Sequence, residues 1–343
     1  MGADHSGSGS GGYLLDRNVH RSTGFPLRLL PVPHLPLVKK AVSRRLELPI
    51  SQELMGIQVG TLLKKHLHLS STVVRRIKWL PDGILVDGRR VNTRYLPQMG
   101  EVLSVRLSDP ERRSGVIPVP GPLDILYEDP DLVVINKAPG VSVHPGPGHF
   151  EDTIGNFLLA HYDQVGEEGD FHPVHRLDRG TSGLLVVARH PHAQERLKQQ
   201  LHTSEFQRTY LAICIGAPEP ASGTVDAPLG PKEGSLMEQM VRPDGKTACT
   251  HYQTLYQSGQ YALLKLNLET GRTHQIRVHM AYLGYPLAGD FLYGEEVPEV
   301  LHRPALHSAA LSFLHPITGE RLEFFQPMPS DMKRLLPTLE GVQ

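Results

Sequence analysis

Apolar and polar positions alternate in short blocks along this 343-residue chain, and the period of each block predicts an element. Leu62, Leu63 and Leu67 fall at helical spacing. Ser70, Ser71 or Thr72 supplies the oxygen that caps a second helix ending near Ile77. Short apolar runs follow at 83–86, at Val91 and at 102–107, with Asp87-Gly88 between the first two. Asp-Gly between apolar runs is a hairpin signal, because both residues tolerate positive φ. This region reads as helix, helix, then short strands. Farther along, apolar runs at 132–135, 184–188, 210–215 and 263–268 predict strands. Leu264, Leu266 and Leu268 alternate with polar neighbours, the period of a half-buried strand. Helical patterns cover 153–161, 192–202 and 273–283. In the last, Ile276, Met280 and Leu283 recur at i, i+4 and i+7; Thr273 is placed to cap its start and Gly284 to end it. Strands and helices interleave without a strict βαβ rhythm, which predicts an α+β fold. No internal repeat is visible.

Punctuation between these blocks predicts the domain organisation. Residues 1–45 read as a leader: Ser6 to Gly12 have flexible-linker composition, and Lys39, Lys40, Arg44 and Arg45 form a basic cluster. A small module spans 46–108. Residues 109–122 hold Pro110, Pro118, Pro120 and Pro122 and read as an interdomain linker. Residues 123–337 are long enough for one large mixed domain. A chain of this length carries about two domains, each able to bury a core without a disulfide or metal staple.

Composition narrows the function classes. Hydrophobic residues are 39% and charged residues 21%, the balance of a soluble globular chain. A net charge of -1 excludes a globally basic nucleic-acid binder. It leaves room for a local one: residues 64–94 carry Lys64, Lys65, Arg75, Arg76, Lys78, Arg89, Arg90 and Arg94 against only Asp82 and Asp87. Such a stretch is an electrostatic footprint for phosphate, or else a solvated basic face. Cys214 and Cys249 are the only cysteines and form neither a C-x-x-C pair nor a disulfide framework. A reducing cytoplasm is expected, and no zinc–cysteine site. No run of 18 apolar residues exists, so no membrane span is expected. The apolar stretch at 26–38 is broken by prolines and Arg28, and makes a poor signal peptide.

Four stretches carry candidate chemistry. Residues 172–188 place Asp178 between Arg176 and Arg179, with Gly180 and Gly183 bending the chain ahead of a strand. Neighbouring positive charge favours the carboxylate form, which a carboxylate nucleophile requires; a loop salt bridge would use the same residues. Residues 269–294 put Arg272 at a strand–helix turn and Arg277 on the helix, away from the apolar stripe. Either reaches Asp178, or both belong to a solvated face. Tyr210 follows Arg208-Thr209 where a strand begins, and as a lone tyrosine it also fits a core. Asn136, Lys137 and His144 follow the apolar strand near 132.

Taken together and in their order along the chain, the four stretches resemble the RluA/RluD-type pseudouridine synthases. The segment from His175 to Leu184, HRLDRGTSGL, is similar to that family's signature loop, and Gly271 to His279, GRTHQIRVH, is similar to a later motif. The likeness covers nearly all of 123–330. It implies a mixed, mainly antiparallel central sheet and isomerisation of uridine in RNA, with uracil detached from its N1–C1′ bond and rejoined through C5. No cofactor and no metal are implied. Asp178 would be the catalytic carboxylate, acting at C1′ or assisting proton loss at C2′. Arg277 would be its salt-bridge partner. Tyr210 would stack on the uracil and help remove the C5 proton. Arg176 would fill the gap left by an extruded base. Arg179, Arg272 and Ile276 would complete the substrate site, with Ile276 and Leu184 as apolar walls. Residues 55–108 resemble an S4 RNA-binding module, although Val59-Gly60-Thr61-Leu62 stands where that module usually opens with Arg-Leu-Asp. The implied partner is RNA, large-subunit ribosomal RNA before tRNA, and a monomer is the default. Three rival readings fit less well. A serine hydrolase through Ser182 lacks G-x-S-x-G. A metal hydrolase would have to draw on 19 scattered histidines. A non-catalytic RNA-binding scaffold is disfavoured by the intact Asp178, Tyr210 and Arg277.

Overall fold

The computed structural model describes residues 43–108, 111–296 and 301–336. The Ser/Gly stretch, Lys39, Lys40 and Pro110 lie outside the described residues. The described residues open with β1 (Arg45–Pro49), α1 (Val59–Lys65), α2 (Ser71–Ile77), β2 (Ile84–Val86), β3 (Arg89–Arg90) and β4 (Val102–Arg106). Their sheet runs β1-β4-β2-β3, all antiparallel. The two helices bury Leu62, Leu63, Val73, Val74 and Ile77 against Ile84, Leu103 and Val105. Ser70 caps α2 by accepting the Val73 N–H at 3.2 Å. Asp87 and Gly88, at φ 46° and 75°, make the two-residue hairpin turn that the dipeptide predicts. The expected leader boundary falls too late. Arg45 already belongs to a strand, because Leu46 and Leu48 pack on this core while the backbone pairs with β4.

Residues 111–124 lie along the surface. Arg112 pairs with Asp163 at 2.6 Å, and Asp170 accepts the Arg113 and Ser114 N–H groups. The rest of the chain comprises β5 (Ile125–Glu128), β6 (Leu132–Lys137), α3 (Ile154–Val165), β7 (His172–Pro173), β8 (Ser182–Ala188), α4 (Pro191–Gln200), β9 (Gln207–Ile215) and β10 (Ser222–Asp226). It continues with β11 (Leu229–Pro231), β12 (Gln239–Val241), β13 (Cys249–Ser258), β14 (Tyr261–Leu268), α5 (Gln275–Tyr282), β15 (Leu306–Leu314), β16 (Arg321–Phe325) and α6 (Ser330–Lys333). Ten of these strands form one sheet, ordered β10-β13-β14-β9-β15-β8-β6-β5, with β16 on β15 and β7 on β8. Among its described strands only the β8–β15 pairing is parallel, so the sheet is mixed and mainly antiparallel.

Why β6 and β8 read as unbroken apolar runs is now plain: both faces are covered. Alternation sorts their side chains. Val133, Ile135, Leu185 and Val187 face a core shared with Leu158, Leu159 and Tyr162 of α3. Leu132, Val134, Leu184 and Val186 face a second core with Ala193 and Leu197 of α4 and with Phe313. Leu184 therefore belongs to the interior and walls no binding cleft. Thr153 caps α3 in a reciprocal pair with Asn156, and Gly166 closes it in the left-handed region. The cap of α4 is a histidine, His190, whose ring accepts the Ala193 N–H at 3.1 Å. Thr273 caps nothing. The helix α5 starts at Gln275, after His274 at φ 56°, because the Gln275 side chain closes the turn instead. Its Oε1 accepts the Arg272 N–H and the Thr270 hydroxyl, and its amide donates to Cys249 O and Thr250 Oγ1. Gly284 follows at φ 86° and lets the chain turn away. No helix among the described residues is long and apolar enough to cross a membrane.

Candidate active site

The loop joining β7 to β8 carries Asp178, and four features set its shape. The Thr181 N–H donates to Asp178 O at 3.0 Å, and the Gly140 N–H donates to Arg179 O at 2.8 Å. Beneath the loop, the fully buried Lys137 Nζ donates to the carbonyls of Ala138, Val141 and Arg179 at 2.9, 2.8 and 3.2 Å. Burial pushes the Lys137 ammonium down to about 7, while the nearby Asp178 carboxylate opposes the shift. At the loop's end Gly183 holds φ 104°, and a Cβ there would lie 2.2 Å from Ser308 O. Only glycine lets β8 slip between β6 and β15 at this point.

Asp178 opens onto a cleft of about 360 Å³, lined among others by Arg176, Tyr210, Arg272, Ile276 and Arg277. Residues that the motifs single out more than 90 positions apart thus meet at one cleft. Two details differ from the sequence expectation. Arg277 is not on a solvated face: it is 4% exposed. Its main partner is Asp290, itself fully buried, through Nε–Oδ2 at 2.7 Å and Nη2–Oδ1 at 2.6 Å. The remaining nitrogen, Nη1, stands 3.8 Å from Asp178 Oδ2. Burial disfavours the Arg277 charge, but the hydrogen bonds and charge of Asp290 outweigh it and raise the pKa. Asp290 therefore fixes the guanidinium, which turns one edge toward Asp178. The Asp178 side chain is 19% exposed. The second difference concerns Arg179, which donates Nε–H to Gly140 O at 2.9 Å and buttresses the loop rather than lining the cleft.

Tyr210 comes from β9 and is almost wholly buried beside Ile276. Burial raises its hydroxyl pKa, with Arg208 partly offsetting and Asp178 reinforcing the shift. The phenol is therefore protonated at neutral pH. Arg176 is exposed at the rim, and Arg272 is held by an Nε–H bond to Thr247 O at 2.9 Å. Among the described residues, the buried atoms Thr181 Oγ1 and Arg208 Nε lack a hydrogen-bond partner, and both residues line the cleft. Polar groups of a bound ligand would satisfy them. Such a cleft offers an apolar wall, an aromatic side chain, and an acid beside a fixed cation.

Sequence reasoning gives no role to Asp290, Tyr293 or His274, although all three lie within the 269–294 stretch and His274 within its motif. The Tyr293 ring lies 5.0 Å from the Arg277 guanidinium and its hydroxyl 2.8 Å from His274 Nδ1. Asp290 is a lone acid 13 residues from Arg277, and no spacing rule marks it. On the N-terminal module, Lys64, Lys65, Arg75, Lys78, Arg89 and Arg90 are exposed, whereas Arg76 is half-buried. Arg90 Nη2 reaches Lys78 O at 3.5 Å, so the β2–β3 hairpin and the end of α2 present their charges side by side. Trp79, which no sequence pattern marks, is 74% exposed there with Lys78 Nζ 4.9 Å from its ring.

The RNA pseudouridylate synthase family model matches residues 131–282, the stretch holding Asp178, Tyr210 and Arg277. The fold and cleft are thus those of an RNA-modifying isomerase domain. The chain is 41% identical over 270 residues to an uncharacterized RNA pseudouridine synthase, YjbO, of Bacillus subtilis, covering 79% of this chain and 95% of that one. It is 40% identical over 306 residues to ribosomal large subunit pseudouridine synthase D of Vibrio cholerae, covering 83% and 93%. Among solved structures, human RNA pseudouridylate synthase domain containing 4 aligns with a TM-score of 0.51 at 26% identity, over 63% of this chain and 92% of that one. The chain belongs to the RNA pseudouridine synthase family.

Proposed function

We propose that the enzyme isomerises specific uridines of large-subunit ribosomal RNA, with Asp178 as the catalytic carboxylate. One observation carries this reading: the Asp178 side chain opens into the cleft, and the cation beside it, the Arg277 Nη1 at 3.8 Å, is itself tied down by Asp290. A carboxylate so placed has positive charge close by yet keeps its oxygens for the ribose. It acts by attack at C1′ or by assisting proton loss at C2′. Tyr210 stacks on the detached uracil; its hydroxyl stays protonated, so the C5 proton leaves to water, with the hydroxyl assisting by a hydrogen bond to that water. Arg176, exposed at the rim, occupies the gap left in the RNA by the flipped nucleotide. Arg272 and Ile276 shape the cleft.

The N-terminal residues 46–108 act as an S4-like RNA-binding module, 109–122 as its connection, and 123–337 as the catalytic domain. The exposed Lys64, Lys65, Arg75, Lys78, Arg89 and Arg90, with Arg76 beside them, support contact with phosphates. The ribosomal substrate is supported by the likeness to the Vibrio cholerae enzyme. A cytoplasmic monomer is the working form.

The test compares RNA from cells with and without the gene, mapping pseudouridine by carbodiimide labelling and primer extension. One or a few large-subunit sites should vanish, return with the wild type, and stay absent with Asp178→Asn. Loss confined to tRNA overturns the substrate; rescue by Asp178→Asn overturns the carboxylate.

A further inference from the structure

Outside the cleft, sheet register gathers three unlike metal donors. Cys249 and His251 are i and i+2 on β13, so their side chains share a face. Thr250 pairs with Leu268 and His251 with Asn267 across β13–β14, which brings Glu269 opposite Cys249. The Glu269 N–H indeed donates to Cys249 O at 3.3 Å. His251 Nε2 lies 2.7 Å from Glu269 Oε1 and 3.9 Å from Cys249 Sγ, and all three donor atoms fall within 4.8 Å of one another. Thr224, opposite His251 on β10, holds the other ring nitrogen with its Oγ1 2.8 Å from Nδ1. That contact aims Nε2 at the trio, as partners of metal-binding histidines do. Asp226, on the same face opposite Cys249, adds negative charge.

Against the expectation from cysteine count and spacing, we propose that Cys249, His251 and Glu269 form a Zn²⁺ site. Sulfur, imidazole and carboxylate are zinc's ligand types, and tetrahedral ligands at zinc bond lengths stand about 3.3–3.6 Å apart, between the two measured separations. Binding releases the thiol proton to solvent and leaves a fourth position for water. The ion would act as a clamp. The Cys249 N–H donates to Thr270 Oγ1, and its carbonyl accepts from Gln275, the residue that closes the turn bearing Arg272. Zinc would tie the start of β13 to that turn at the edge of the cleft. A second trio, Asp129, Asp131 and His315, already spends its oxygens on Arg44, His190 and Tyr127 and offers a metal nothing. The zinc site does not depend on the assignment of Asp178 or of the RNA.

The experiment titrates untagged, chelator-treated full-length protein with Co²⁺. The wild type should bind one equivalent with a near-ultraviolet thiolate-to-cobalt charge-transfer band and visible bands of tetrahedral intensity, all erased by Zn²⁺. Cys249→Ser should lose the charge-transfer band. His251→Gln, which keeps the thiol, should bind far more weakly, with circular dichroism showing both variants folded. Zn²⁺ should raise the melting temperature of the wild type and leave that of Cys249→Ser unchanged. A wild type without the band overturns the proposal, and so does a band that survives Cys249→Ser, since Cys214 is the only other thiol.

Discussion

At the scale of single residues, the site depends on charges that are buried in pairs. Arg277 and Asp290 are both inside, and a buried ion with its partner removed is costly. Asp290→Asn should destabilise the protein by about 3–5 kcal/mol, read from urea melts. It should also lower kcat more than KM, because the guanidinium loses the anchor that turns its edge toward Asp178. Lys137 gives a pH prediction. Its folded pKa is about 7 against an ordinary 10.5, so between those values the unfolded chain binds the extra proton. Stability therefore rises with pH across that window, and the penalty of the buried charge is fully present below about pH 7. Urea melts of the wild type and Lys137→Met should differ by an amount that shifts with pH in that window, in the direction of a more stable wild type at higher pH. Asp178, Tyr210 and Arg277 are singled out by the likeness of their motifs to the family's, whereas spacing alone leaves a loop salt bridge, a core tyrosine and a solvated arginine equally open. Asp290 is singled out by neither, because its meaning lies wholly in what it faces.

Among elements, the strands are easier to foresee than the details at their ends. Runs such as 184–188 are buried on both faces, so hydrophobicity alone identifies them. Their starts depend on neighbours. β8 begins two residues earlier, at Ser182, because Gly183 pairs with Lys137 on one side and Ser308 on the other. Gly183→Ala should cost several kcal/mol, the combined effect of positive φ and a backbone oxygen 2.2 Å from the new methyl, visible as a large fall in melting temperature. Helix starts divide by mechanism. Ser70 and Thr153 are local caps and follow from sequence. Gln275 replaces Thr273 because its amide also bonds to Cys249 and Thr250 on a distant strand, and no nearest-neighbour rule contains that strand.

Across the whole molecule, ion pairs join the N-terminal module to the large sheet. Arg106 of β4 binds Glu168 at 2.6 Å while Nη1 takes Asp82 at 2.8 Å, and Arg44 binds Asp131 beside β6 at 2.7 Å. These pairs occupy Arg44 and Arg106 and leave Lys64, Lys65, Arg75 and Lys78 exposed. Replacing those four with alanine should weaken RNA binding and reduce the slope of log affinity against log salt by about 0.7–0.9 for each phosphate no longer neutralised. Melting temperature should stay nearly unchanged, because exposed charges contribute little to stability.

The amino-acid sequence by itself determined the α+β class, the helices and strands at its clearest apolar runs, the basic stretch and the motifs. All of these depend on hydrophobic period, turn chemistry and short-range spacing, which are properties of neighbours along the chain. Tertiary structure decided the strand order, the Arg277–Asp290 pair, the interior place of Leu184, and the convergence of Cys249, His251 and Glu269. Those depend on register and burial, and a residue's charge, partner and exposure exist only once distant strands lie side by side.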